Sequence, residues 1–258
     1  MLENLLDIEL LTKTYFPERK GPLTALKDLN FSVADGELVS LVGPSGCGKS
    51  TFINLACGIA QPTSGRILLR GRPITEPIKD VGIAFQAPIL LEWRTVLTNV
   101  LLPIEILERK VRPSHREHAR KLIKLVGLAG FEDAYPRELS GGMQQRVSIC
   151  RALIHDPSFL LMDEPFGALD AMTRDKMNKE LLRIWDEAKK TLIFITHNIA
   201  EAVFLSDRVV VLTGRPGTVR GIVRIDSPRP RDPTGSEFKS IEARIRDLIG
   251  EAHEDADR

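Results

Sequence analysis

A chain of 258 residues, 43% of them hydrophobic, is long enough to bury the core of one large domain or two closely joined ones. Its 36 Lys and Arg nearly balance 35 Asp and Glu, and a formal charge of +1 excludes a global field for nucleic acid or an anionic membrane. Cys47, Cys57 and Cys150 are an odd, irregularly spaced set that makes neither a disulfide framework nor a zinc pattern and fits a reducing cytosol, no apolar run reaches the ~18 residues of a bilayer span, and Met1-Leu2-Glu3-Asn4 does not begin a signal peptide.

In chain order, residues 6–11 alternate acidic and apolar side chains, which predicts a half-exposed strand. Residues 23–33 repeat the pattern before a turn at Asp35-Gly36. Residues 37–42 read as a buried strand running into Gly43-Pro44-Ser45-Gly46-Cys47-Gly48-Lys49-Ser50, then Thr51, with a helix over about 49–57. Pro62-Thr63-Ser64-Gly65 predicts a turn, 66–70 a short strand, and 81–85 a buried strand ending at Gln86. From about 88 to 156 strand signals vanish. Val96, Val100, Ile104 and Leu107 fall at helical spacing. Ser114-His115-Arg116-Glu117 reads as a capping box opening a helix that runs to about Val126. Another helix begins in Ser140-Gly141-Gly142 and ends near His155. A helical subdomain over about 88–156, inserted in an α/β core, is expected. Strand and helix then alternate again: strand 159–162, helix 171–188, strand 191–196, helix 199–205. A hairpin of 209–212 and 218–225 closes about Gly214-Arg215-Pro216-Gly217. Residues 227–234, rich in Pro and Arg, read as a linker. Ser236 is expected to cap a last helix with Phe238, Ile241, Ile245, Leu248 and Ile249 on its apolar face. The main domain is thus expected over 5–235 and a helix with tail over 236–258.

Residues 43–50 satisfy G-x-x-x-x-G-K-[ST] between a strand and a helix, the context that motif needs. Its glycines let backbone N–H groups turn inward as an anion nest at a helix N-terminus. Lys49 is expected to reach the β- and γ-phosphates of a nucleoside triphosphate, and Ser50 to place its hydroxyl on Mg²⁺. Asp163 ends the apolar strand Phe159-Leu160-Leu161-Met162 and suits Mg²⁺ as well. Glu164 follows and is the candidate general base for the attacking water. Gln86 could touch both Mg²⁺ and that water, although a polar residue after a buried strand is common. Ser140, Gly141 and Gly142 open a helix and make a second anion site. Tyr15 is placed to stack on adenine, with an ordinary strand-end aromatic as the plain alternative. Cys47 lies before a helix N-terminus, which lowers a thiol pKa, and is expected to react faster than the packing residues Cys57 and Cys150. His115 and His118 stand three apart on a helix, but a solvated face is the simpler reading. Trp93, near Leu90, Leu91 and Val96, either fills the subdomain core or anchors an interface.

The phosphate loop, then Leu139-Ser140-Gly141-Gly142-Met143-Gln144-Gln145-Arg146, then an apolar strand ending in Asp163-Glu164, resembles the nucleotide-binding subunit of ATP-binding-cassette (ABC) proteins. The resemblance runs from Ile8 to about Pro230. It implies a P-loop NTPase fold of the α/β class, with a mainly parallel core sheet, an N-terminal antiparallel β-subdomain and an inserted helical subdomain. It also implies ATP and Mg²⁺ as ligands and a head-to-tail homodimer, in which Ser140, Gly141 and Gly142 contact the ATP held by the partner's phosphate loop. His197 would contact the γ-phosphate and orient Glu164. Asp170, in Gly167-Ala168-Leu169-Asp170, would lie in the dimer-contact loop.

Residues 91–103, Gly214-Arg215-Pro216-Gly217 and Pro228-Arg229-Pro230-Arg231 look like importers of the nitrate, sulfonate and taurine type. Glu92 stands where many of these have Pro, which leaves related importers of pyrimidine-type precursors open. The implied assembly has membrane permease subunits and a solute-binding protein, with this subunit on the inner face of the cell membrane. Room for an added C-terminal regulatory domain is not expected. A non-transport ABC ATPase of DNA repair or translation fits less well, since there is no long coiled-coil insertion between the motifs, no second cassette and no basic patch, and nucleic acid is not expected as a partner. A small-molecule phosphotransferase leaves residues 139–146 without a purpose.

Overall fold

The computed structural model describes residues 3–18, 21–167, 169–188 and 190–254. The chain divides into two compact units, one of residues 1–78 with 191–258 and one of residues 79–190. It enters the first unit as two long antiparallel strands, β1 (Asn4–Tyr15) and β2 (Leu23–Ala34). Register shifts interrupt the pair, and Leu10 takes a left-handed φ of 44°. The bulge turns Leu10 outward while Leu11 stays buried, so the expected alternation fails there. Next come β3 (Leu38–Val42), α1 (Lys49–Ala56), β4 (Ser64–Leu69) and β5 (Arg72–Pro73). β4 pairs with β1 and β5 with β4, giving an antiparallel sheet in the order β2-β1-β4-β5. Phe31 of β2 meets Phe52 of α1 at 5.7 Å between ring centroids, which joins this sheet to the helix behind the phosphate loop.

The second unit opens with β6 (Val81–Ala84), then four helices: α2 (Val96–Val100), α3 (Leu102–Glu108), α4 (Pro113–Leu125) and α5 (Gly141–Leu153). β7 (Phe159–Asp163) and α6 (Ala171–Ala188) complete it. β6 and β7 are parallel, with Ala84 opposite Met162. A Cβ at Gly82 would stand 2.1 Å from the Ala152 carbonyl oxygen, so only glycine lets β6 and α5 approach this closely. α4 starts two residues earlier than expected. Arg112 is its N-cap, Pro113 its first residue, and His115 Nδ1 accepts from the Arg112 N–H at 3.3 Å. Proline's fixed φ preorganises that first turn, which displaces Ser114 from the cap. His115 lies 3.5 Å from Glu108 and His118 is exposed. Among the described residues no group of three His, Cys, Asp or Glu could hold a metal.

The chain returns to the first unit as β8 (Thr191–Thr196), α7 (Ile199–Leu205), β9 (Arg208–Leu212), β10 (Val219–Arg224) and α8 (Ser236–Glu254). β3 lies parallel between β8 and β9, and β10 runs antiparallel to β9. All five residues of β3 and all six of β8 are buried, as in strands covered on both faces. Residues 227–234 are not a free linker: Arg229 and Arg231 donate to backbone carbonyls of α7, which a composition rich in Pro and Arg does not reveal. On α8, Phe238 and Ile245 are buried and Ile241, Leu248 and Ile249 half-buried. The tail residues 255–258 lie outside the described residues. No described helix is long and apolar enough to cross a membrane. A parallel core, an antiparallel N-terminal sheet and helices on an α/β frame match the architecture expected from the sequence.

Candidate functional site

In the first unit, β3 ends at Val42 and the loop 43–48 carries the chain into α1. Gly46 and Gly48 take φ of 80° and 95°, a region open to glycine and strained for other residues. Gly48 is also hemmed in: a Cβ there would meet Leu26 Cδ2 at 2.5 Å and the Ala25 carbonyl oxygen at 2.9 Å. Lys49 Nζ donates to the carbonyls of Gly43 at 2.9 Å and Pro44 at 3.2 Å, so its charge is held over the loop. Pro44 is half-buried, Ser45 and Ser50 are exposed, and Thr51 follows in the first turn of α1. A loop with two glycines at left-handed φ, a lysine bent over it and a helix N-terminus fit a polyphosphate. Tyr15 ends β1 with its hydroxyl 3.5 Å from Thr51 Oγ1, and Lys13 Nζ sits 5.2 Å from its ring centroid. An exposed ring beside the first turn of α1 suits a flat heteroaromatic base. His197 follows β8 and is exposed.

The loop is braced from behind by the hairpin turn 213–218. Gly217 N donates to the Ala25 carbonyl and Lys27 N to the Gly217 carbonyl, both at 2.9 Å. A Cβ at Gly217 would come within 2.0 Å of the Cys47 carbonyl oxygen. This packing corrects the expectation for Cys47. Its side chain is 0% exposed. Burial pushes the thiol above its usual range and outweighs the lowering by Lys49. Cys57 is pushed up to about 12 by burial, and Cys150 is raised further for the same reason. Cys47 is therefore a packing residue of the loop and not a reactive thiol.

In the second unit, Gln86 and Glu164 leave the carboxyl ends of the adjacent parallel strands β6 and β7. They converge: a Cβ at Gly167 would lie 3.2 Å from Gln86 Nε2 and 3.6 Å from Glu164 Oε2. Glu164 has a φ of 43°, a strained value for a side chain of this kind. Asp163 is the last residue of β7 and is half-buried. Asp170 Oδ1 accepts from Thr173 N at 3.0 Å, which caps α6, and hydrogen bonding from the Thr173 side chain and then its backbone holds the Asp170 carboxyl below the usual range. Ala168 in the same loop lies outside the described residues.

Ser140 is the N-cap of α5, with its Oγ accepting from Met143 N. Ser140 and Gly141 are exposed, and among the described residues nothing lies within 4 Å of a Cβ built at Gly141. Internal packing thus gives no reason for a glycine there.

Three residues escaped the sequence reading. Gln145 is buried and donates to the Phe85 carbonyl at 3.1 Å. Arg151 donates to the carbonyls of Pro88 and Ile89, both at 2.7 Å. Together they pin the backbone on either side of Gln86 to α5. Asn99, wholly buried, accepts from Leu91 N at 2.8 Å and donates to the carbonyls of Leu91, Arg94 and Thr95. The available signal was a polar residue on an otherwise apolar helix face. Asn99 holds the 91–95 loop so that Trp93 projects outward, 75% exposed. The core reading of Trp93 is thereby excluded.

The family model described as ABC transporter matches residues 26–167. The aliphatic sulfonates import ATP-binding protein SsuB of Bacillus thuringiensis subsp. konkukian is 40% identical over 90% of this chain and 90% of its own length. The nitrate import ATP-binding protein NrtC of Synechococcus elongatus is 49% identical over 82% of this chain, which spans 32% of that longer protein. Among solved structures, a dimeric ATP-binding cassette in a post-hydrolysis state with ADP and Pi superposes with a TM-score of 0.74 at 31% identity, over 86% of this chain and all of that one. With its glycine loop and Asp163-Glu164 strand end, the chain belongs to the ABC transporter family, as an ATP-binding subunit that hydrolyses ATP.

Proposed function

We propose that two copies of this chain pair head to tail around two ATP molecules and power a permease that imports a small solute of the nitrate, sulfonate or taurine kind, with a pyrimidine-type precursor as the other candidate. The observation that carries the pairing is Gly141, a glycine that its own chain does not require. In this reading residues 43–51 hold the triphosphate of one ATP and Tyr15 its adenine, while Ser140, Gly141 and Gly142 meet the partner's ATP and Asp170 borders the contact. Ser50, Gln86 and Asp163 are the groups that would hold Mg²⁺, and their hard oxygen donors suit it. Held there, the ion would supply positive charge against the phosphates. Glu164 takes a proton from the attacking water, Gln86 orients that water and His197 contacts the γ-phosphate. The named relatives, an importer subunit for sulfonates and one for nitrate, support the solute class. A solute-binding protein outside the membrane and a position against its inner face complete the assembly.

Ser140→Arg tests the pairing. The guanidinium would occupy the place where the partner's γ-phosphate docks. Nucleotide affinity of the single subunit is expected to stay within about twofold, since no group of the phosphate loop changes, while ATP-driven dimerisation is lost. Gel filtration with ATP in a hydrolysis-deficient background reads the outcome, and a retained dimer counts against the reading.

Trp93 tests the permease contact. An exposed Trp on a pinned loop is suited to anchor an interface, because it buries a large area at little entropic cost. Trp93→Ala is expected to leave the melting temperature unchanged and to weaken co-purification with the permease by about tenfold or more. Unimpaired assembly and transport would remove Trp93 from that surface.

A further inference from the structure

We propose that Arg229 and Arg231 are positioning residues for ATP hydrolysis: they hold the far end of the short helix that begins beside His197, and so fix the imidazole in place. The proposal rests on the reading of His197 as the γ-phosphate contact. α7 has seven residues, and His197 directly precedes its N-cap, Asn198. Both neighbours of His197 are tied to the first turn. Asn198 Oδ1 accepts from Glu201 N at 3.3 Å, and Thr196 Oγ1 donates to the buried Glu201 carboxylate at 2.6 Å while accepting from Asn198 N at 3.0 Å. His197 therefore moves with the start of α7.

The other end of α7 presents carbonyls with no partner inside the helix. Arg229 Nε donates to the Leu205 carbonyl at 2.6 Å. Arg231 Nη1 donates to the carbonyls of Val203 at 2.8 Å and Phe204 at 3.2 Å. The remaining Arg231 bonds run to Ser227 at 3.0 Å and Ile225 at 3.4 Å, just past β10. Arg229 also lies 2.8 Å from Asp207, whose second carboxylate oxygen accepts from Leu38 N at 2.9 Å. Leu38 begins β3, the strand that feeds the phosphate loop. The arginine segment thus ties the end of α7 to the frame that carries the phosphate loop. A helix of seven residues is only about 10 Å long, so a shift at its end is carried to its start. Arg231 is 7% exposed and spends its fork on backbone carbonyls. An apolar side chain of equal volume would avoid the desolvation of that charge, so packing alone does not account for it.

The test is a mutant cycle on the full chain with His197→Ala and Arg231→Gln. Arg231→Gln is expected to lower kcat by about tenfold while KM for ATP stays within about twofold, because small misplacement of a reacting contact costs rate before binding. In the His197→Ala background, Arg231→Gln is expected to change the residual turnover by less than about twofold, since both substitutions disable one contact. The imidazole resonance of His197 in nucleotide-free protein should shift in Arg231→Gln. Losses that multiply in the double variant, or a folded Arg231→Gln with wild-type kcat and an unmoved resonance, overturn the proposal. Wild-type turnover in His197→Ala alone overturns the reading of His197 instead, and does so before either arginine is touched. If Arg231→Gln does not fold, Arg229→Gln and Arg231→Lys carry the same cycle, and the lysine variant should retain more turnover than the glutamine one.

Discussion

Glu164→Gln is expected to bind ATP as the unaltered chain does and to turn it over about 10²-fold more slowly or worse. The amide matches the carboxylate in shape, so it fits the same space beside Gly167. It accepts the left-handed φ of 43° no worse than glutamate does, so stability should not change. Only the capacity to take a proton from water is lost. With hydrolysis stopped and the phosphate loop intact, the ATP-bound pair of subunits should accumulate and appear as a dimer in gel filtration. Turnover near the wild-type rate at saturating ATP would show that Glu164 is not the base.

Gly217→Ala should cost the chain most of its affinity for ATP, although residue 217 stands in a hairpin turn outside the phosphate-loop motif. The added methyl would lie 2.0 Å from the Cys47 carbonyl oxygen, a backbone atom with no rotamer to change. Seating it requires either lifting the turn, which breaks the bonds Gly217 makes with Ala25 and Lys27, or turning the Cys47 peptide. Either adjustment costs about 1–3 kcal/mol and disorders the N–H groups meant for phosphate. A fall in affinity of about tenfold or more, with the circular dichroism spectrum retained, is the expected outcome of a fluorescent-nucleotide titration. Wild-type affinity would mean that the turn does not brace the loop.

Local chemistry was legible in the sequence, and long-range packing was not. Strands β3, β7 and β8 announce themselves as unbroken apolar runs, and the glycine loop and Ser140 cap follow from short-range rules. Cys47 misled because its helix-terminal position is visible, whereas its burial under a turn some 170 positions away in sequence is not. The arginine segment misled for the same reason: Pro and Arg read as a linker until the carbonyls of α7 are brought beside them. Trp93 could be weighed either way from its neighbours, because its direction depends on Asn99, six residues ahead on the next helix.

One helix addresses both faces of the chemistry. α5 offers Ser140 outward at its start, and from its body Gln145 and Arg151 grip the backbone around Gln86. In a dimer built as proposed, a partner's nucleotide that displaces the start of α5 also displaces the Gln86 segment of the subunit that owns the helix. Such an effect is reciprocal by thermodynamic necessity: if occupancy of one pocket raises affinity at the other by some factor, the converse factor is equal. Nucleotide titrations of the intact pair should then be sigmoidal, and cutting Gln145 back to Ala should flatten them towards independent sites.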